Sequence, residues 1–182
     1  MILLARHGET DDNIPPLRFQ GVTDTPLNAR GREQAYALAE RVASEHPETQ
    51  ALLCSQLSRA RETAEIVGAA IGLEPETDAR FGEGDRGEWE GHLFPEIEAR
   101  DPERFAAFRR AGAGFRFPGG ESMQEHQDRV LAGLEAVRRD GRSPAIVVCH
   151  RGSIRVALCH ARGVGLDHFW EFDVPNTALI EL

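Results

Sequence analysis

The chain has 182 residues, 41% of them apolar and 28% charged, and a formal net charge of −9. This length suits one domain with a sizeable core, and the mix is that of a soluble globular protein. The acidic balance argues against a general nucleic-acid binder, which needs a basic face for phosphates, but leaves room for a locally basic pocket.

No apolar run is long enough to span a membrane and none reads as a signal peptide, so the expected setting is the cytoplasm. Cys54, Cys149 and Cys159 are odd in number and lack paired metal spacing. They read as small buried thiols in a reducing compartment.

In chain order, Ile2–Ala5 is the first short apolar run of buried-strand length; Ala51–Cys54, Ala145–Cys149 and Ala178–Ile180 follow. Helical periodicity lies between them. Asn28 is placed to cap a helix with Ala35, Leu38, Ala39 and Val42 on one face. Ser58 is placed to cap the next, with Ala60, Ala64, Val67 and Ile71 on its face and Gly72 as its stop. Ser122 and Glu125 form an S-x-x-E box before Val130, Leu134 and Val137, with Gly141 beyond. A last helix is expected from near Ser153 to before Gly163. The alternation predicts one α/β domain over residues 1–182, with a mostly parallel central sheet flanked by helices and no repeat or linker.

Ligands of such sheets sit beyond the carboxyl ends of the strands. Arg6 and His7 follow the first run, Arg59 and Arg61 come soon after the second, and His150 and Arg151 follow the third. Glycines come soon after both histidines, where backbone must approach something closely. Three strand ends thus deliver cations and imidazoles to one rim, and phosphate is the natural occupant. If Ser58 caps its helix, Arg59 lies in the first turn, where the helix dipole disfavours a cation by roughly 0.3–1 kcal/mol. A bound dianion would offset that.

The blocks "LLARHGET", Asn13, "GVTDTPLNARGREQA", "SQLSRARETA", "GEGDRGEWEG", "PGGES", "VVCHRGSIR" and "PNTALIEL" occur in this order over almost the whole chain. In this the sequence resembles the histidine phosphatase superfamily, and within it the phosphoglycerate-mutase-like branch. The resemblance implies that His7 is a nucleophile that becomes phosphohistidine. It implies that Arg6, Arg59 and His150 hold the phosphoryl oxygens and that Glu83 gives a proton to the leaving group. Asn13 and the Gln20–Gly21 stretch would help line the phosphate pocket, with the N–H groups after His150, at Arg151 and Gly152. Only alignment through Trp89, Glu90 and Gly91 selects Glu83 among Glu83, Asp85, Glu88 and Glu90.

Physical chemistry accommodates these roles. A neutral imidazole avoids the repulsion that a phosphomonoester dianion exerts on anionic nucleophiles. Two arginines and a protonated second histidine can stabilise the transferring group without Mg²⁺. An alkoxide leaving group needs a carboxylic acid that stays protonated near working pH, and the same group then acts as base for water. No cofactor or metal is expected, since the histidines lack ligand spacing such as H-x-x-x-H. His46, His92, His126, His160 and His168 are given no role, and Glu121 and Ser122 read as helix capping.

Two departures stand out. Arg151 replaces the second glycine that many relatives carry after the later histidine. The chain is also short for a mutase, which favours a phosphatase. The stretch from Gly91 to Gly120 reads as one or two short helices plus a loop capping the pocket. Its Phe94, Phe105, Phe108, Phe115 and Phe117 read as core, and its Arg104, Arg109, Arg110 and Arg116 as a solvated face; a substrate-contacting cap is the alternative. The expected function is hydrolysis of a small phosphate ester through phosphohistidine. The alternatives are a phosphoglycerate-type mutase, a non-catalytic phosphate-binding regulatory module and a metallohydrolase. Sugar phosphates, phosphoglycerates, phosphoserine and α-ribazole phosphate all stay open as substrates. So does the oligomeric state, a homodimer included; no nucleic-acid or membrane partner is expected.

Overall fold

The computed structural model describes residues 1–182. Its strands are β1 (Ile2–Arg6), β2 (Ala51–Cys54), β3 (Glu76–Thr77), β4 (Ala145–Cys149) and β5 (Leu179–Glu181). They form one sheet in the order β3-β2-β4-β1-β5. The first four run parallel, and β5 pairs antiparallel with β1. The helices are α1 (Ala29–Glu45), α2 (Ser58–Ile71), α3 (Phe94–Arg100), α4 (Pro102–Arg110), α5 (Met123–Arg139) and α6 (Arg151–Ala161).

Successive residues of a strand point to opposite faces, and this splits the core into two layers. Leu3 and Ala5 of β1 pack with Leu38 and Val42 of α1 and Ala60, Ala64 and Val67 of α2. Ile2 and Leu4 face the other side, with Val130, Leu134 and Val137 of α5 and Ile154 of α6. Every residue of β1 and β4 is buried, as expected for parallel strands covered by helices on both sides.

The helix signals hold with two corrections. Asn28 caps α1, its side-chain oxygen accepting the Gly31 N–H at 2.8 Å. Ser122 and Glu125 close their box at the start of α5. Ser58, however, is the first residue of α2, and Leu57 holds the cap position. The Asp24 carboxylate, brought from another loop, takes the Ser58 N–H at 2.6 Å, and Ser55 Oγ takes the Leu57 N–H. Long-range acceptors thus do the work expected of a local cap. Helix α6 starts at Arg151, two residues before the expected point, because its apolar pattern begins only after a polar first turn. His150 is its cap residue, and the Ile154 N–H bonds back to the His150 carbonyl at 2.9 Å.

The strand differences are small. The last run is shifted by one residue, since Leu179 pairs with Ala5 and Glu181 with Leu3. Strand β3 has no apolar signal, because both its residues are exposed at the sheet edge.

The segment 91–120 forms α3, α4 and a loop. Trp89 is buried among Phe19, Phe105, Phe108, Phe115 and Phe117, with ring centroids 5.1–6.4 Å away. The phenylalanines of this segment are mainly core, as expected. Of its arginines, Arg104 and Arg110 are exposed, Arg116 pairs with Glu125, and Arg109 lies 4.5 Å over the Trp170 ring.

Candidate active site

Because β1 and β4 are neighbours, their carboxyl ends emerge side by side. The His7 N–H donates to the Cys149 carbonyl at 3.0 Å, and the rings of His7 and His150 lie 5.1 Å apart. The closing "PNTALIEL" segment, with Val174 just before it, holds this end in place. Asn176 Nδ2 donates to the His7 carbonyl at 3.1 Å, and an Arg6 guanidinium nitrogen donates to Val174 at 2.8 Å. Gly8 is required sterically, since a Cβ there would lie 2.2 Å from the Gly31 carbonyl oxygen.

His7 Nδ1 lies 2.6 Å from the Gly8 carbonyl oxygen. Only an N–H can face that acceptor, so the proton sits on Nδ1 and Nε2 carries the lone pair. Burial, then His150, Arg59 and Arg6 nearby, push the His7 pKa well below the usual imidazole range. The ring is neutral at neutral pH.

Arg6, His7, Asn13, Gln20, Gly21, Glu83, Arg151 and Gly152 line one cavity. These expected residues come from five separate stretches of chain. Arg59 and His150 do not line it. Both are fully buried beside it, His150 against the His7 ring. Arg59 donates to the carbonyls of Gly21 and Thr23, each at 2.8 Å. Glu90 accepts the N–H groups of Val22 and Thr23, each at 2.8 Å. Together they shape the loop that presents Gln20 and Gly21. Two backbone carbonyls, and not only a bound anion, therefore offset the cost of Arg59 in the first turn of α2.

His150 Nε2 meets Ser55 Oγ at 2.8 Å. Burial first, then Arg59 and other cations, hold His150 well below the usual imidazole pKa. This corrects the expectation of a protonated second histidine: its burial favours the neutral ring. Arg6 Nε, Arg59 Nε and His150 Nδ1 are buried with no hydrogen-bond partner in the protein. Burial, then Arg151, lowers the Arg6 pKa to about 9, which still leaves it a cation at neutral pH.

Glu83 requires a second correction. Its carboxylate accepts from the Gly84 N–H at 2.9 Å, the Gly152 N–H at 3.0 Å and the Arg86 guanidinium at 3.2 Å. Burial pushes its pKa up, but Arg86, His126 and these N–H groups outweigh burial and hold it at about 2. The expected carboxylic acid is held as a carboxylate. A phosphate dianion beside it would raise its pKa by like-charge repulsion. His126, given no role from sequence, lies 3.7 Å from Glu83 Oε1. Its Nε2 meets Ser153 Oγ at 3.0 Å, and Ser153 donates to the Gly82 carbonyl at 2.8 Å. This chain fixes the turn that carries Glu83. Glu121 is not a cap: it pairs with Arg129 at 2.9 Å and accepts the Asp85 N–H.

Sequence reasoning also missed Arg18, Arg86 and Arg155, which join the lining with Phe94, Phe108, Phe169 and Trp170. Spacing was an available signal: Arg86 is three residues after Glu83, and Arg155 is one helical turn after Arg151. No cluster of three or more His, Cys, Asp or Glu side chains has a metal-binding arrangement. All three cysteines are buried free thiols, and no helix is long and apolar enough to cross a membrane.

Phosphoserine phosphatase 1 of Hydrogenobacter thermophilus is 35% identical over 178 residues, covering 97% of this chain and 83% of that protein. Among solved structures, Bacillus stearothermophilus YhfR superposes with a TM-score of 0.88 at 30% identity, over 100% of this chain and 90% of that one. A mycobacterial glucosyl-3-phosphoglycerate phosphatase in complex with VO3 gives a TM-score of 0.85 at 28% identity, over 97% and 89%. The family model for branch 1 of the histidine phosphatase superfamily matches residues 2–182, and the chain belongs to that superfamily.

Proposed function

We propose that the protein hydrolyses phosphomonoesters of small metabolites through a phosphohistidine on His7. The observation that carries this reading is the His7 tautomer. A neutral ring with its proton tied to Gly8 offers Nε2 as an uncharged nucleophile among Arg6, Arg59 and His150. In the first step the Nε2 lone pair forms a bond to phosphorus as the P–O bond to the alcohol breaks. Glu83, protonated once the anion is bound, gives its proton to the departing oxygen. In the second step Glu83 takes a proton from water, whose oxygen attacks phosphorus and releases His7. Arg6, Arg59 and His150 stabilise the equatorial oxygens in both steps. The orphaned Arg6 Nε and Arg59 Nε support this, because buried donors without partners are rare and costly. Asn13, Gln20, Gly21, Arg151 and Gly152 complete the pocket.

The same reading makes residues 1–182 one catalytic domain, working in the cytoplasm without a metal and without nucleic-acid partners. The names of phosphoserine phosphatase 1 and of the phosphatase structures support hydrolysis, while relatives named phosphoglycerate mutase carry the alternative, phosphoryl transfer between two positions of one substrate. Rapid-quench labelling tests the reading. The wild-type protein should give an acid-labile, alkali-stable phosphoenzyme, and His7→Ala should give none and lose turnover while keeping its fold. Labelling or full activity in His7→Ala sinks the assignment.

A further inference from the structure

Glu83 belongs to no helix or strand. Residues 82–86 are irregular chain between two single helical turns, Ala79–Phe81 and Gly87–Trp89. A side chain on such a stretch is aimed by whatever grips its backbone. Here the grip is on the Gly82 carbonyl, one residue before. It accepts the Ser153 hydroxyl from α6 at 2.8 Å and an Arg129 guanidinium nitrogen from α5 at 3.0 Å, which uses both of its lone pairs. Ser153 spends its single hydroxyl hydrogen on Gly82, so its oxygen can only accept from His126 Nε2, 3.0 Å away. The His126 proton therefore sits on Nε2, and Nδ1 keeps the lone pair, buried without a partner. Both side chains are buried, away from the cavity lining. The ring also packs against the residue after Glu83, since a Cβ on Gly84 would lie 2.7 Å from His126 Nδ1. His126 thus braces the turn on both sides of Glu83, at Gly82 through Ser153 and at Gly84 directly.

We propose that His126 is a positioning residue for leaving-group protonation: through Ser153 and Gly82 it holds Glu83 so that Oε2 carries the proton to the departing oxygen. This rests on the phosphatase reading above and adds to it a residue outside the cavity. The two carboxylate oxygens differ in their surroundings. Oε1 accepts from the Gly84 N–H and from Arg86, and His126 Nε2 lies 3.7 Å from it. Oε2 accepts only from the Gly152 N–H, which leaves it a lone pair for a proton. In the first step that proton leaves Oε2 for the alcohol oxygen as the P–O bond breaks, and the carboxylate returns to its cradle. No proton passes through His126, whose N–H is committed to Ser153 and lies too far from Oε1 for a hydrogen bond. Its part is to keep Ser153 Oγ an acceptor and so keep the serine hydrogen on Gly82.

The test compares kcat/KM for glycerol 3-phosphate, whose alkoxide needs a proton, and p-nitrophenyl phosphate, whose leaving group does not. His126→Leu leaves Ser153 Oγ without its donor and should lower kcat/KM for glycerol 3-phosphate by about 10- to 100-fold, the scale of a misaligned catalytic group. It should leave p-nitrophenyl phosphate within about threefold, because that ester gains little from an acid. The amide nitrogen of glutamine reaches about as far as Nε2, so His126→Gln should restore glycerol 3-phosphate to within about threefold of wild type. Ser153→Ala should give the same split as His126→Leu, and carries the test if the leucine variant fails to fold. In a Glu83→Gln background His126→Leu should cost nothing further. The proposal is overturned by equal losses for both esters, by no loss in either variant, by a loss that glutamine does not restore, or by a full further loss in the Glu83→Gln background. Should the wild type hydrolyse neither ester, the phosphatase reading fails separately. Carbon-13 NMR titration of the Glu83 carboxyl then still decides the positioning. His126→Leu should move its midpoint up as the Gly84 and Gly152 bonds loosen, and His126→Gln should not; an unmoved midpoint in the leucine variant overturns the proposal.

Discussion

Glu83 and Gly152 are locked together across 69 residues of sequence. The Gly152 N–H donates to Glu83 Oε2 at 3.0 Å, and a Cβ at position 152 would lie 2.2 Å from Glu83 Oε1. The glycine after the second histidine therefore does more than admit a phosphate: it makes room for the carboxylate and aims it. Arg151 can stand beside it because the N-terminal turn of α6 needs a small residue only where Glu83 touches it.

This contact sets a leaving-group test. Glu83→Gln keeps shape and polarity but cannot supply a proton, so kcat/KM for an alkyl phosphate should fall on the order of 10²–10⁴-fold. The loss for p-nitrophenyl phosphate, whose leaving group departs as a stable anion, should be much smaller. Gly152→Ala, which displaces the carboxylate, should show the same asymmetry. Asp85→Asn and Glu88→Gln should not; if either does and Glu83→Gln does not, the acid is misassigned.

Metal removal should have no effect. The positive charge around His7 comes from arginine side chains, so exhaustive EDTA treatment should leave hydrolysis unchanged. Orthovanadate, which adopts the five-coordinate geometry of the transferring group, should inhibit. Loss of activity on chelation, restored by Zn²⁺ or Mg²⁺, would support the metallohydrolase alternative instead.

Stability should fall in mild acid. Burial holds His7 and His150 well below their usual range and His126 down to about 4, against about 6.5 in an unfolded chain. The unfolded chain therefore binds more protons as pH drops below about 6.5, and stability falls with it. Glu83, held at about 2, adds to the loss only below about pH 4.5, as the unfolded carboxylate takes up protons that the folded one refuses. Between pH 7.5 and pH 5, urea unfolding should lose on the order of 2 kcal/mol for each of these buried histidines. His126→Gln should reduce that difference by its own share, about a third, with His7 and His150 supplying the rest; an unchanged difference in this variant removes His126 from the account.

Much of the site was legible because its residues are tied to local signals. Arg6, His7, His150 and Arg151 end apolar runs, and Gly8 and Gly152 follow the two histidines closely. Helix starts were legible where the cap is local, as at Asn28 and Ser122. The start of α2 was not, because Asp24 and Ser55 supply acceptors from outside the helix. His126 and Arg155 escaped notice because each looks like an ordinary helix residue until its helix is docked.

By itself the sequence determined the period and order of the elements and the residue types at each strand end, since these depend on neighbours a few positions away. Tertiary structure alone decided the strand order that sets β1 against β4 and brings His7 within 5.1 Å of His150. It also decided the charge states. Burial keeps the two histidines neutral, and Arg86 with two backbone N–H groups keeps Glu83 ionised. Desolvation and the approach of distant charges fix a pKa, and neither exists until the chain has folded.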